Sequence, residues 1–77
     1  MLKEHDRIVL TDDIPDYRLK IGDVGTIVHV YPRGEAFEVE FLTLDGNTAA
    51  LATVLRSQVR PVASTDITHA REHRMTG

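Results

Sequence analysis

The stretch that decides the fold is GDVGTIVHVYPRGEAFEVEF, residues 22–41. Two glycines, Gly22 and Gly25, lie three residues apart just before a β-branched run. Glycines at this spacing indicate a bend, where the backbone needs a positive φ or approaches a neighbour very closely. The pattern therefore predicts a structural bend at Gly22 and Gly25 and a strand that begins at Val24.

The second half of the stretch predicts a β-hairpin. Gly34 suits the left-handed position of a turn over Pro32–Glu35, in which the proline has its φ already set. The run Ala36–Phe41 alternates apolar and acidic residues, as a strand with one buried face does. This turn pairs Tyr31 with Ala36 across the hairpin.

Three further strands are expected around this hairpin. The β-type run Arg7–Leu10 precedes a turn cluster and a loop. Asp45 and Gly46 predict a type I′ turn that returns the chain as a strand over Thr48–Leu55. A single 3₁₀ turn then precedes a last strand, Val59–Val62, which we expect at an edge or against the first strand because it contains a proline.

The predicted architecture is all-β. About five short antiparallel strands with tight turns make a small barrel over residues 1–62. After Ala63 the sequence is polar and too poor in apolar residues to join a core. We expect residues 63–77 to form a flexible or weakly helical tail.

Composition limits the partners that this chain can have. With 77 residues it is one small, marginally stable domain, and the absence of cysteine fits a reducing cytoplasm. The formal net charge of -3 opposes a nucleic-acid partner, because phosphate contacts need a basic field. Without an apolar stretch long enough for a membrane span, we expect a soluble, cytoplasmic protein.

The predicted turns determine which residues share a face of the sheet. Counting back from the Tyr31–Ala36 pair and from a Leu44–Asn47 pair gives an inward-facing set: Thr26, Val28, Val30, Phe37, Val39, Phe41, Ala50, Ala52 and Val54. The same register gives an outward-facing set that is apolar and acidic: Ile27, Tyr31, Glu38, Glu40, Leu42, Leu51 and Leu55. Either a bulge breaks the register in the Thr48–Leu55 strand, or the second set binds a partner.

Side chains capable of chemistry are present, but they form no complete site. His69 and His73 have helical spacing, yet a third metal ligand is missing. His29 lies opposite Glu38, and such a pair on an exposed sheet is more often structural than catalytic. The aspartates within residues 12–16 do not have the EF-hand spacing, and the two glycines of the bend precede a strand and not a helix. We expect no enzymatic activity, no cofactor and no metal.

The order of these motifs resembles that of a known family. The motifs are LKIGDVGTIV at 19–28, FEVEF at 37–41, DG at 45–46 and VRPV at 59–62. Together they resemble a family of short uncharacterised bacterial proteins, a domain of unknown function, from Met1 to about Val62. The resemblance implies an SH3-like barrel, and it implies an antitoxin or immunity role because the family's genes are associated with small neighbouring toxins.

Residues 22–26 also resemble the glycine-centred bend of the KOW motif in ribosomal and transcription-elongation proteins. That resemblance implies RNA contacts through Lys20, Arg18, Arg33 and the tail arginines. The chain lacks the basic residues that surround this bend in RNA-binding modules. The charge favours the first of two hypotheses, a non-catalytic protein-interaction module that binds a protein partner or itself as a homo-oligomer. The alternative is a KOW-like RNA- or ribosome-associated module.

Overall fold

The computed structural model describes residues 1–73 and is all-β. Its five strands are β1 (Arg7–Leu10), β2 (Val24–Val30), β3 (Ala36–Leu42), β4 (Thr48–Leu55) and β5 (Val59–Pro61). They form one antiparallel sheet in the order β4-β3-β2-β1-β5. A 3₁₀ turn, Arg56–Gln58, precedes β5. The predicted fold class is confirmed, and the strand order is consistent with a small barrel.

The first hairpin has the predicted turn. The Tyr31 amide donates to the Ala36 carbonyl over 3.0 Å, and Gly34 has a φ of +62°. Arg33 also has a positive φ, 66°, which the sequence did not indicate. The turn therefore contains two successive left-handed residues inside the 3₁₀ turn Pro32–Gly34.

The first half of β2 faces the opposite way from the prediction. Val30 pairs with Phe37 and His29 with Glu38 as expected, but Ile27 pairs with Val39 because the register shifts at Val28. The extra residue is a β-bulge, which reverses the alternation of side chains along the rest of the strand. As a result Ile27 is fully buried, while Val28 is exposed.

The second hairpin has a different turn from the predicted type I′ turn on Asp45 and Gly46. The Gly46 amide donates to the Thr43 carbonyl, and the Thr43 amide donates to the Asn47 carbonyl. Gly46 has a φ of +87°, so the loop has three residues with the glycine in the left-handed position. Thr43 thus replaces Leu44 as the partner of Asn47.

The three-residue loop shifts the pairing of β3 with β4 by one residue from the predicted register. A second irregularity, at the start of β4, restores the predicted pairing. Leu42 pairs with Thr48, whereas Phe41 pairs with Ala50, so Ala49 is the extra residue. From there on the predicted pairing of β3 with β4 is confirmed.

The core lies between the inner faces of the strands and the loop that follows β1. Its buried members are Ile8, Leu10, Ile14, Leu19, Ile27, Phe37, Val39, Phe41, Ala52 and Val54. Ile14 and Leu19 come from the loop, where their backbones form an isolated bridge with hydrogen bonds of 2.8 and 3.1 Å. This folded-back loop covers part of the core that a five-stranded sheet of this size leaves open.

The tail continues from β5 without a helix in the part that the structure describes, residues 63–73. A turn places Asp66 where it accepts hydrogen bonds from the Ala63 amide and from both terminal nitrogens of Arg60. The Arg60 guanidinium, followed by the Ala63 amide, lowers the pKa of Asp66 to about 2. Of the flexible or weakly helical tail predicted for residues 63–77, residues 63–73 contain no helix, and residues 74–77 lie outside the described part.

Gly22 and Gly25 are both backbone requirements, for different reasons. Gly22 has a φ of +93°, whereas Gly25 lies in β2 and its conformation needs no glycine. A Cβ atom at Gly25 would stand 2.5 Å from Val39 Cγ1 and 2.8 Å from Phe41 Cε2. Both distances are too short for carbon atoms, so the strand can approach β3 this closely only without a side chain.

We expect Gly25→Val to destabilise the domain by about 1–3 kcal/mol, because overpacking moves the core side chains Val39 and Phe41. Thr26→Val is the matched control, since it places the same residue, valine, at a half-buried position of the same strand, where a Cβ atom is already present. Urea denaturation of the two variants measures the difference. Equal midpoints would contradict the close approach at Gly25.

Candidate functional site

Strands β2, β3 and β4 present a contiguous exposed surface, which we call the outer face. Its residues are Val28, His29, Tyr31, Glu38, Glu40, Leu42, Leu51, Thr53 and Leu55. The large apolar members Tyr31, Leu42, Leu51 and Leu55 are between 37% and 54% exposed. Six of the seven residues that the sequence predicted for partner binding thus lie on this surface.

Ile27 is the exception, because it is 0% exposed and belongs to the core. Its prediction for the outer face was wrong because sequence alternation cannot reveal a bulge at the next residue. Val28 takes its place, with 41% of its surface exposed.

The acidic residues of the outer face are held by hydroxyl groups. Glu38 Oε1 accepts hydrogen bonds from Tyr31 Oη at 3.2 Å and from Thr53 Oγ1 at 2.6 Å. Glu40 Oε2 accepts one from Thr48 Oγ1 at 2.8 Å. These contacts hold the two negative charges of β3 in defined positions, since hydrogen bonds to a carboxylate are stronger than neutral ones.

The His29–Glu38 pair has no catalytic geometry. The two residues are opposite each other, but Glu38 is hydrogen-bonded to Tyr31 and Thr53, and the His29 ring packs edge-on against Tyr31 with centroids 4.8 Å apart. Both lie on an open sheet surface. The pair therefore serves to order the outer face, as expected for cross-strand neighbours.

A second polar cluster joins the tail to the bend before β2. Asp23 accepts hydrogen bonds from Arg71 Nε at 3.0 Å, from Arg71 Nη2 at 2.5 Å and from the Lys20 amide at 2.8 Å. His69 Nε2 lies 3.1 Å from Asp23 Oδ1. Burial acts to raise the pKa of Asp23, but the hydrogen bonds from Arg71, the Lys20 amide and His69 lower it overall.

Sequence reasoning missed this cluster, which we call the tail latch (Asp23, His69 and Arg71). Asp23 appeared only as part of the glycine bend, and His69 only as half of a helical pair. The contacts join residues 46 and 48 positions apart in the chain, and no local pattern predicts them. An arginine near the end of a polar tail was the only sequence signal.

The other candidate metal ligands remain apart. His69 contacts Asp23, whereas His73 Nε2 lies 3.4 Å from the Tyr17 carbonyl oxygen. Asp13 accepts a hydrogen bond from the Ile21 amide, as a turn-stabilising residue does. Among residues 1–73, no group of three or more His, Cys, Asp or Glu side chains could hold a metal ion.

The cations that the KOW resemblance implied are dispersed or neutralised. Arg71 belongs to the tail latch, and its guanidinium also donates to the Arg18 carbonyl. Arg18 and Arg33 occupy left-handed turn positions on separate turns. Between the tail and the sheet lies an open groove of about 780 Å³, whose lining is both acidic and basic. Arg74 lies outside the described residues.

The fold and the outer face thus define a small all-β domain with an exposed apolar and acidic surface. The chain belongs to the family described as Domain of unknown function (DUF4926), whose model matches residues 4–61. This confirms the family that the motifs resembled. No curated protein and no solved structure matches the chain. Within the described residues, no helix has the length and apolar character required to cross a membrane.

The tail latch should make part of the domain's stability depend on pH. Because the folded pKa of Asp23 lies below its ordinary value of 3.8, the latch stabilises the domain above that value and is lost as the pH falls through the folded pKa. We expect Arg71→Gln to lower the Tm by a few degrees at neutral pH, and this difference from wild type to close in acid.

Arg56→Gln is the matched control, because it removes the same charge from an exposed position. Thermal denaturation of the three proteins between neutral pH and about pH 2 checks the expectation. If the Tm difference between Arg71→Gln and wild type is the same at about pH 2 as at neutral pH, Asp23 is not the partner of Arg71.

Proposed function

We propose that this protein is a non-catalytic protein-interaction module whose outer face binds a protein partner with basic side chains. The observation that carries the proposal is the combination on one surface of four half-exposed large apolar residues with two fixed carboxylates. Interfaces combine apolar residues, which supply binding energy, with charged groups that determine register and orientation.

The apolar residues can supply the binding energy. Each large apolar side chain contributes roughly 1.5–3 kcal/mol when it leaves water, before the entropy of association is subtracted. Tyr31 and Leu55 lie near one end of the face, and Leu42 and Leu51 near the other, with Glu38 and Glu40 between them on β3. A partner that covers the whole face gains enough to bind at useful concentrations.

The charges favour a different protein over a second copy on this face. Packing two outer faces together would bring Glu38 and Glu40 of one copy towards those of the other, and like charges in an interface are costly. A basic partner removes this repulsion and is attracted by the net charge of -3. A small toxin encoded by a neighbouring gene is the specific partner that we propose, with an antitoxin or immunity role in the cytoplasm.

The partner test uses the product of the adjacent gene, co-expressed and purified with this protein. We expect Leu55→Glu to raise the Kd for that product at least about tenfold, because it removes an apolar contact and adds a carboxylate to the face. Isothermal titration calorimetry measures the Kd, and circular dichroism checks that the variant is folded.

Leu44→Glu is the matched control, since Leu44 is 99% exposed in the β3–β4 turn and lies off the outer face. It should leave the Kd unchanged. Equal Kd values for wild type and both variants would refute the outer face as the binding surface.

The RNA alternative has a separate test, which is retention on heparin at low salt. Because the net charge is -3 and Arg71 and Arg60 pair with Asp23 and Asp66, we expect no retention. Retention that declines steeply with added salt would instead support the KOW-like hypothesis.

A further inference from the structure

One edge of the sheet is open. β4 pairs with β3 on one side and is the last strand on the other. The Leu55 amide donates to Gln58 Oε1 at 2.8 Å, whereas the next amide, that of Arg56, donates to the Glu35 carbonyl. The Leu55 amide therefore points away from β3. Because amides two residues apart in a strand point the same way, those of Leu51 and Thr53 also point to the open edge.

The pairing between β2 and β3 leads to the same conclusion. Ala36 directs its carbonyl towards Tyr31 of the first hairpin, so its pair with Leu55 is one without hydrogen bonds between β3 and β4. The alternating pairs Phe37–Val54 and Val39–Ala52 then carry the ladder. Leu51 and Thr53 therefore each direct a backbone amide and a backbone carbonyl to the open edge of the sheet. These groups pair with no strand that the structure describes.

The two edges of the sheet differ in their protection. β5, at the other edge, is three residues long and contains Arg60 and Pro61. Short length, charge and proline are the means by which proteins prevent edge strands from pairing with other chains. β4 is eight residues long and contains no charged residue and no proline. It has none of these three protections, and its bulge at Ala49 lies outside the segment Leu51–Thr53, so that segment is suited to accept another strand.

We propose that β4 pairs with β4 of a second copy of this chain, antiparallel, about a twofold axis at Ala52. In this register Leu51 of each copy lies opposite Thr53 of the other, and each such pair exchanges two backbone hydrogen bonds. All the edge groups identified above are then satisfied. The two sheets join into one continuous sheet across the axis.

A second copy fits this edge because the edge is self-complementary. Each chain has a net charge of -3, yet the strands that meet carry no charge, so no like charges are opposed at the seam. Ala52 opposes itself on the axis, where its small side chain permits close approach. The outer face of each copy remains uncovered, so this pairing is independent of the proposed partner binding.

The first experiment measures molar mass by size-exclusion chromatography with light scattering, over roughly a hundredfold range of concentration. We expect a dimer that dissociates on dilution. Leu51→Pro removes the edge amide without removing a bond to β3, and it should give a folded monomer. Leu51→Thr is the matched control, because it changes the side chain but keeps the amide, and it should remain dimeric.

A second experiment decides the question if Leu51→Pro does not fold. The chain contains no cysteine, so Leu51→Cys and Thr53→Cys can be made separately and mixed under oxidising conditions. We expect the mixture to form the disulfide-linked heterodimer faster than a mixture of Leu51→Cys with Leu44→Cys, because positions 51 and 53 are opposed in the proposed register. A monomeric wild type, a folded Leu51→Pro dimer, or equal cross-linking in both mixtures would overturn the proposal.

Discussion

The close approach of the Gly25 backbone to Val39 and Phe41 is the contact on which the rest of the fold depends. β2 is shared between two partners: Val24, Gly25 and Thr26 pair with β1, while the residues from Thr26 onwards pair with β3. The strand must therefore curl across the core at the point where the two pairings meet. A side chain there would separate β2 from β3 and displace Val39 and Phe41. The missing Cβ is thus what allows so few residues to enclose a core.

The bulge at Val28 follows from the same curvature. Gly25 and Ile27 face the core from the first half of β2, and Val30 packs against the core from the second half. These positions are not all separated by even numbers, so one residue must be added to the alternation, and Val28 is that residue. The bulge also changes the candidate site, because it turns the side chains of both Val28 and His29 outward. The outer face therefore gains an apolar residue beside His29, and the core gains Ile27.

Much of this could be predicted from the sequence, because turn chemistry is local. β1 and β4 have the predicted limits, a 3₁₀ turn precedes β5 as predicted, and Gly34 occupies the left-handed position expected of it. Six of the seven residues predicted for the outer face are there, since the first turn and the ladder of β3 with β4 determine their register. The features that the sequence did not predict depend on three-dimensional packing. The Val28 bulge compensates for the curvature of β2, and Ile14 and Leu19 are buried because of where their loop lies. The tail latch joins residues far apart in the chain, so no local pattern predicts it.

The distribution of charge over the surface separates the two proposed interactions. Among the five strands, β3 is the one that carries acidic residues, and its Glu38 and Glu40 are fixed by neighbouring hydroxyls and would repel a second copy. The adjacent edge strand β4 is neutral along its whole length, although the chain is acidic, and its unpaired backbone groups can bond to any strand. At the opposite edge, Arg60 and Asp66 form an ion pair beside β5, so strand addition is obstructed there. One surface thus favours an unlike, basic partner and the other a like strand, and since they adjoin at Leu51, a dimer would present two outer faces side by side to its partner.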